Sequence, residues 1–484
     1  MMQSLHILRK DIEHLQAELS IYAGLLFASA IAIPRAWDPA SLANEPLHVF
    51  AGLLNYLIPI IWIVVIARLV HDEALVGDTQ FWITRPYQWI SLLSSKLLFI
   101  LLCVVLPFAL TQWAIVLQAG LNPLHALSGQ LQGLLAALMG WLILTVLASI
   151  TATIQGMFLS IVAALILWAA TLTTLGNIEG TRMPLPFGVE SSILIGSLLF
   201  GILLYQYASR NTFASRFAVG ATTLLFLTSF ACLMDGAIQA PVDLFVHNHY
   251  PLSSNGPLSL VFDPSSIPSE DAGKGKHVLD QQLIVRLPVT MQGVDSTTQL
   301  DHQNVSFTID APGYHYTSPW RPADLEDETL LLLVPQKALE AAHDASIHLH
   351  LSAVAQRLLP GTPQTVTAAE SFSVPGNGMC HLLPSLSGDN VSCRYAFQIA
   401  SRTVIHAMIS PASCLSSGPA DPAMETLAER SPMNGPDPTI GILLHLGGSV
   451  CPGTPLTFTD YHPAENFRLE LDIPSINLNR YLVR

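Results

Sequence analysis

Charge is scarce in this 484-residue sequence: Asp, Glu, Lys and Arg together make up only 12% of it. A soluble chain carries about a quarter charged residues. The deficit, with 51% hydrophobic residues and a mean hydropathy of +0.46, excludes an ordinary soluble globule. The scarcity is uneven. Residues 1–235 hold nine Lys/Arg and eleven Asp/Glu, and residues 236–484 hold twelve and twenty-four. The C-terminal half therefore supplies −12 of the net charge of −14. An acidic half of this kind is repelled by a phosphate backbone, so no nucleic-acid partner is expected.

Catalytic motifs are missing as well. A phosphate-cradling loop needs Gly-x4-Gly-Lys-Ser/Thr. The nearest stretch, Gly273-Lys-Gly-Lys276, has Glu270 before it and His277 after it and sits in a polar region. Leu127-Ser-Gly-Gln130 resembles a fragment of an ATPase signature but is one Gly short. There is no Gly-x-Ser-x-Gly elbow, no His-Glu-x-x-His and no Cys-x-x-Cys. The chain is accordingly read as no enzyme, with no cofactor, no metal and no catalytic residue. His348 and His350 alternate on one strand at a spacing that suits a metal, with His343 and Asp344 upstream; solvent-face histidines are the plainer reading.

What the N-terminal half does have is long apolar runs. A spanning helix needs about 20 apolar residues. Seven stretches qualify, near Ser20–Pro34, Leu47–Leu69, Leu97–Leu117, Leu131–Ile154, Met157–Leu175, Ser191–Tyr207 and Phe217–Leu233. None carries a charge in its middle, which disfavours an ion-driven transporter or proton pump. Milder polar groups occur at Asn55, Gln112, Ser149, Thr151 and Gln155, where bonding between helices is expected. Pro59 and Pro107 are expected to kink their spans. Residues Leu5–Leu19 read as one amphipathic helix, with Leu5, Leu8, Ile12, Leu15 and Leu19 at spacings of three and four. It either lies in the inner interface or packs as a leader helix on its own protein. No cleavable secretory segment is read.

Basic residues orient the spans. With a cytoplasmic N-terminus, inner segments hold Arg9, Lys10, Arg68, Arg85, Lys96, Arg210 and Arg216, and outer short loops only Arg35 and Arg182. An odd number of spans then places residues 236–484 outside; six would place them inside. The predicted organisation is an α-helical polytopic domain of about seven transmembrane helices over 1–235 in the plasma (inner) membrane. A linker over 236–276 and a mainly β, sandwich-like extracytoplasmic domain over 277–484 follow. The β expectation rests on alternation at Leu283–Val289, Val305/Phe307/Ile309, Ile347/Leu349/Leu351, Tyr395/Phe397/Ile399 and Phe467–Ile473, with one short helix over Gln336–Ala345. Cys380, Cys393, Cys414 and Cys451 are candidate disulfide cysteines. Three pairings are open, and Cys380–Cys393 with Cys414–Cys451 closes the smallest loops. Asn304-Val-Ser306 and Asn390-Val-Ser392 are glycosylation sequons.

The segment between spans two and three carries the most information. Asp72 and Glu73 come first, then Gly77-Asp78, an amphipathic turn from Phe81 and Trp82 to Thr84, Arg85-Pro86, and Lys96. Pro86 stops the short helix before it. This outline resembles the permease subunits of ABC-2-type transporters, in which an acid, a Gly, a short coupling helix, a Pro and a basic residue follow the second span. Glu73, Gly77, Pro86 and Lys96 match, and the likeness covers roughly residues 1–210. The resemblance implies a separate ABC-type ATPase partner, a permease homo- or heterodimer in the lipid bilayer, and ATPase coupling through Arg85, Pro86 and Phe81–Thr84. A seventh span and the large C-terminal domain depart from the family plan. The alternative is a membrane-anchored exterior binding or assembly module without transport activity.

Overall fold

The computed structural model of the chain describes residues 2–37, 45–72, 88–124, 126–175, 187–234, 240–253, 258–265, 282–293, 299–323, 325, 329–342, 346–374, 378–383, 390–396, 404–409, 425–426, 437–445 and 453–482. They fall into two compact units that ignore chain order. The first joins Met1–Trp168, Pro186–Leu225 and Thr362–Asp460; the second joins Ala169–Leu185, Phe226–Gly361 and Tyr461–Arg484.

The N-terminal half is helical. In chain order it comprises α1 (Met2–His14), α2 (Gln16–Ala36), α3 (Glu45–His71), α4 (Trp89–Phe99), α5 (Leu106–Gln118), α6 (Leu127–Ile150), α7 (Ile154–Leu175), α8 (Phe187–Ser209), α9 (Thr212–Met234) and α10 (Ala240–His249). Among the described residues, four helical stretches are long and apolar enough to cross a membrane: Gln16–Ala36, Pro46–His71, Trp89–Gln118 and Gly129–Ile150. Shorter apolar stretches lie at Ile154–Leu167, Ile193–Ser209 and Thr212–Thr228. Large apolar side chains such as Phe27, Leu110 and Leu165 face outward, as lipid-facing residues do and water-facing ones rarely do.

Two expectations need correcting here. The segment Leu5–Leu19 is not one helix: the chain breaks at Leu15, with φ −101° and ψ 19°, between α1 and α2. Leu8 and Leu15 are buried, Ile12 and Leu19 pack half-buried on the same core, and only Leu5 is exposed, so the stripe the spacing selects faces inward from Leu8 to Leu19. The third span does not begin at Leu97 either, since α4 starts at Trp89 and puts Lys96 inside the apolar rod Trp89–Gln118.

That rod is not a regular helix. Ile100–Val105 is π-helical, and Pro107 follows it. Proline has no N–H to donate and crowds the preceding turn. The widened turn accommodates it, and Tyr22 of α2 donates its hydroxyl to the Val104 carbonyl at 2.9 Å. Trp62, Phe108 and Trp141 pack edge to face nearby, with ring centroids 5.1–5.7 Å apart. Such pairs fix helix spacing where no water competes.

The first unit also contains a β module. Its strands Ser371–Val374, Gly378–Leu383, Asn390–Ala396, Thr439–His445 and Glu425–Thr426 lie in that order. Strand Gln364–Thr367 pairs with Pro455–Phe458. Phe372, Val374, Val391, Leu456 and Phe458 form its core with Cys380 and Cys393. These two cysteines stand directly opposite each other in antiparallel register and are disulfide-bonded.

In the second unit, Tyr314–Thr317, Gln299–Ala311, Ile347–Pro360 and the Tyr461–Ile476 part of the last long strand are antiparallel neighbours. Register aligns Ile309, Leu349 and Ile473 in one row and Phe307, Leu351 and Leu471 in the next. This period-two face packs with Val285, Leu287, Leu330, Leu332 and Val334 from the strand pair Gln282–Leu287 and Leu330–Pro335. Pro288 separates Gln282–Leu287 from the next strand, Val289–Gln292. The expected short helix is α11, Gln336–Ala342. The stretch expected as linker, 236–276, contains α10 and a strand, Ser259–Phe262. Val242, Val246 and Tyr250 of that stretch pack on Trp320 and Val354.

Candidate functional site

Polar side chains gather where α1 meets α2, α3 ends, α4 passes into the π-helical turn and α6 turns into α7. Asp11 of α1 and Lys96 of α4 form a pair with Nζ and Oδ2 2.8 Å apart, and the Lys96 side chain is only 1% exposed. Lys96, expected as the basic residue just before the third span, is a core residue whose charge is matched by a carboxylate from another helix. A lone ammonium there carries a large desolvation penalty, and only a partner makes it tolerable.

Around this pair lie more open contacts. Glu18 pairs with Arg68, and His14 Nε2 lies 3.0 Å from Asp72 Oδ2. His71 Nε2 lies 3.2 Å from Thr151 Oγ1. The C-terminal carbonyls of α6 are satisfied from elsewhere: Gln206 Nε2 donates to Ser149 O at 3.2 Å and Arg216 Nε to Ile150 O at 3.0 Å. Helix C-termini leave such carbonyls free and favour cations. Thr153 caps the start of α7, its Oγ1 accepting from Gly156 N at 3.1 Å. The arrangement ties seven helices together: α1, α2, α3, α4, α6, α8 and α9.

The other sequence-selected residues separate. Asp72 closes α3 at this polar end. Glu73, Gly77, Asp78, Phe81, Trp82, Arg85 and Pro86 lie outside the described residues. Gln112 is buried on α5. Asn55, on α3, has a buried Oδ1 with no hydrogen-bond partner among the described residues. Cys414 and Cys451 lie outside the described residues, as do Phe397 and Ile399. Asn304 is 2% exposed on a central strand, so folded protein presents no glycan acceptor there.

His348 and His350 sit on the face of their sheet opposite the core, between two carboxylates. His348 Nε2 lies 2.8 Å and His350 Nδ1 3.4 Å from Asp472 Oδ1. Asp310 lies 2.5 Å from His315 Nδ1 and 3.6 Å from His348 Nδ1. The hydrogen bond from His315 holds the Asp310 carboxyl below its ordinary value. Among the described residues no group of three or more His, Cys, Asp or Glu is placed to hold a metal ion. His343 and Asp344 lie outside the described residues.

Sequence reasoning missed Asp11, Asp310 and Asp472. Asp11 had a signal: it interrupts the apolar stripe of α1 between Leu8 and Leu15, which demands a basic partner. The two sheet carboxylates had none, because only register brings them beside the histidines. Comparison with known proteins adds no relative: no family model, curated protein or solved structure matches the chain.

Proposed function

We propose that the chain is the membrane-spanning permease subunit of an ABC-2-like transporter, driven by a separate ABC-type ATPase. The observation that carries this reading is the polar cluster at the N-terminal end of α2. The chain leaves α3 at Asp72 within that cluster, and Lys96 of α4 pairs with Asp11 in it. A docking segment for a cytoplasmic ATPase is needed on such a face. The sequence of segment 73–87 supports the same reading through Gly77, Arg85 and Pro86.

In this reading α2, α3, the α4–α5 rod, α6, α7, α8 and α9 are seven spans. The N-terminus is cytoplasmic, and the β-rich C-terminal region, sandwich-like in design, is outside. The excess of Lys and Arg on the α1 side supports that orientation, and two permeases pair around the pathway. The test is a gentle-detergent pull-down of the tagged chain from its native host. Recovery of an ATP-binding-cassette subunit, lost in Arg85→Glu at equal expression, is the expected result. Recovery of exterior proteins alone refutes it and favours a membrane-anchored binding or assembly module.

A further inference from the structure

Within the first unit, the β module meets the ends of α2 and α5 at a built seam. Trp37 closes α2 and packs among Ile33, Ala51 and Ile115. Its indole Nε1–H donates to Asp437 Oδ2 at 3.3 Å. The Arg394 guanidinium lies over the same ring, 4.9 Å from its centroid. Asp437 Oδ1 accepts from Thr439 N at 2.9 Å and from Thr439 Oγ1 at 2.6 Å. Arg394 Nη1 stands 3.9 Å from Asp437 Oδ2.

The backbone joins too. Met379 N–H donates to the Ala119 carbonyl, at the end of α5, at 2.9 Å. Gly378 has φ +66°, and a Cβ there meets Arg394 O at 2.6 Å and Ala119 O at 2.7 Å. Only glycine lets three backbone segments come this close. Beside the seam, Gln118 Nε2 of α5 donates to Ala30 O of α2 at 3.0 Å.

Tryptophan suits this position because its face attracts a guanidinium while its edge donates to a carboxylate. Asp437 and Arg394 are both mostly buried. Burial pushes the Asp437 carboxyl up, against the pull of Arg394, and pulls Arg394 down. A pair this desolvated is held in place by its partners rather than by its own attraction, and one of those partners, Trp37, belongs to a helix.

We propose that Trp37, Arg394 and Asp437 form a latch that seats the Thr362–Asp460 module on α2 and α5, so that a shift of α2 against α5 unseats it. The latch is independent of whether an ATPase drives the chain. A segment that moves α2 at its far end thereby has a mechanical readout in the β module.

Amide hydrogen exchange on the full chain in lipid nanodiscs tests this, because the Met379 N–H is bonded across the seam. Trp37→Leu is expected to speed exchange at Met379 by about tenfold or more, with the Val391–Tyr395 amides still protected. Unchanged exchange at Met379 overturns the latch. If Trp37→Leu loosens the whole module, Trp37→Phe decides: it keeps the ring and loses only the N–H. A selective rise at Met379 in that variant supports the proposal, and none overturns it. Gln118→Ala tests the helix coupling. A rise of about two- to threefold at Met379 is expected from one lost hydrogen bond, and no rise overturns the coupling.

Discussion

Helix α2 is held at its two ends in opposite ways. At its N-terminal end, His14 and Asp72 lie 3.0 Å apart with side chains 56% and 41% open to solvent, beside the less exposed Glu18–Arg68 pair. At its C-terminal end, Trp37 is stacked and hydrogen-bonded to a buried Arg394–Asp437 pair. Exposed pairs contribute about 0–1 kcal/mol and rearrange easily. A buried pair enforces one geometry, because separating it leaves an unmatched charge out of water. The first kind of end suits a surface that must yield to a partner, and the second suits a fixed seat.

Asp11–Lys96 complicates this contrast, since it is a buried pair lying beside the open cluster. It ties α1 to α4, and those helices share the core residues Ile7, Leu92 and Leu93. Here the largest effect is expected. Lys96→Met strands the Asp11 carboxylate and should cost about 3–5 kcal/mol, read as a lowered thermal midpoint of the purified protein. Adding Asp11→Leu should restore most of the loss, because an apolar pair needs no compensation. An unchanged midpoint in the single variant removes the buried pair from the account.

The next effect is confined to the β module. Cys380 and Cys393 close a loop with a sequence separation of 13. Opening a loop of that size in Cys380→Ala is expected to cost about 3 kcal/mol. Limited proteolysis should then cut within Thr362–Asp460 and spare the helices. Equal loss across both regions shows that the module and the helices unfold as one body.

A smaller effect sharpens the comparison through pH. Burial raises the Asp437 carboxyl in the folded state above its unfolded value. The folded state therefore binds the proton more tightly. The stabilisation from this group is fully present below the ordinary carboxylate value and is lost as pH rises through the folded value. Unfolding of the module measured from about pH 4 to about pH 7 should show stability falling across that window in wild type relative to Asp437→Asn. Parallel profiles mean that Asp437 does not titrate in the folded state.

The apolar runs made the four membrane-length helices legible, because a lipid-facing helix is apolar nearly all round. Alternation at Val305/Phe307/Ile309 and Ile347/Leu349/Leu351 made the inward face of the large sheet legible for a similar reason: one face is buried and one is not. Illegible were the features decided by tertiary pairing. Lys96 reads as a boundary only while Asp11 is unseen. The α10 helix hides in a stretch of mixed composition, since Val242, Val246 and the Tyr250 that follows the helix matter only once Trp320 and Val354 lie beneath them. Trp37 and Asp437 are 400 residues apart, and no local pattern marks either. The candidate coupling segment was singled out by its sequence outline alone.

The smallest effect on stability belongs to the open end, and it is the most informative about function. His14 and Asp72 are 56% and 41% exposed, so Asp72→Asn should change stability by less than about 0.5 kcal/mol. The same residue begins the segment that carries Gly77, Arg85 and Pro86. If that face receives an ATPase, Asp72→Asn should lower recovery of the ATPase in the pull-down while the thermal midpoint holds. A fall in both, in step, makes Asp72 a structural residue and places the contact elsewhere. No fall in either leaves Arg85 and the turn around it as the docking element, with the acid at the end of α3 serving only to fix His14.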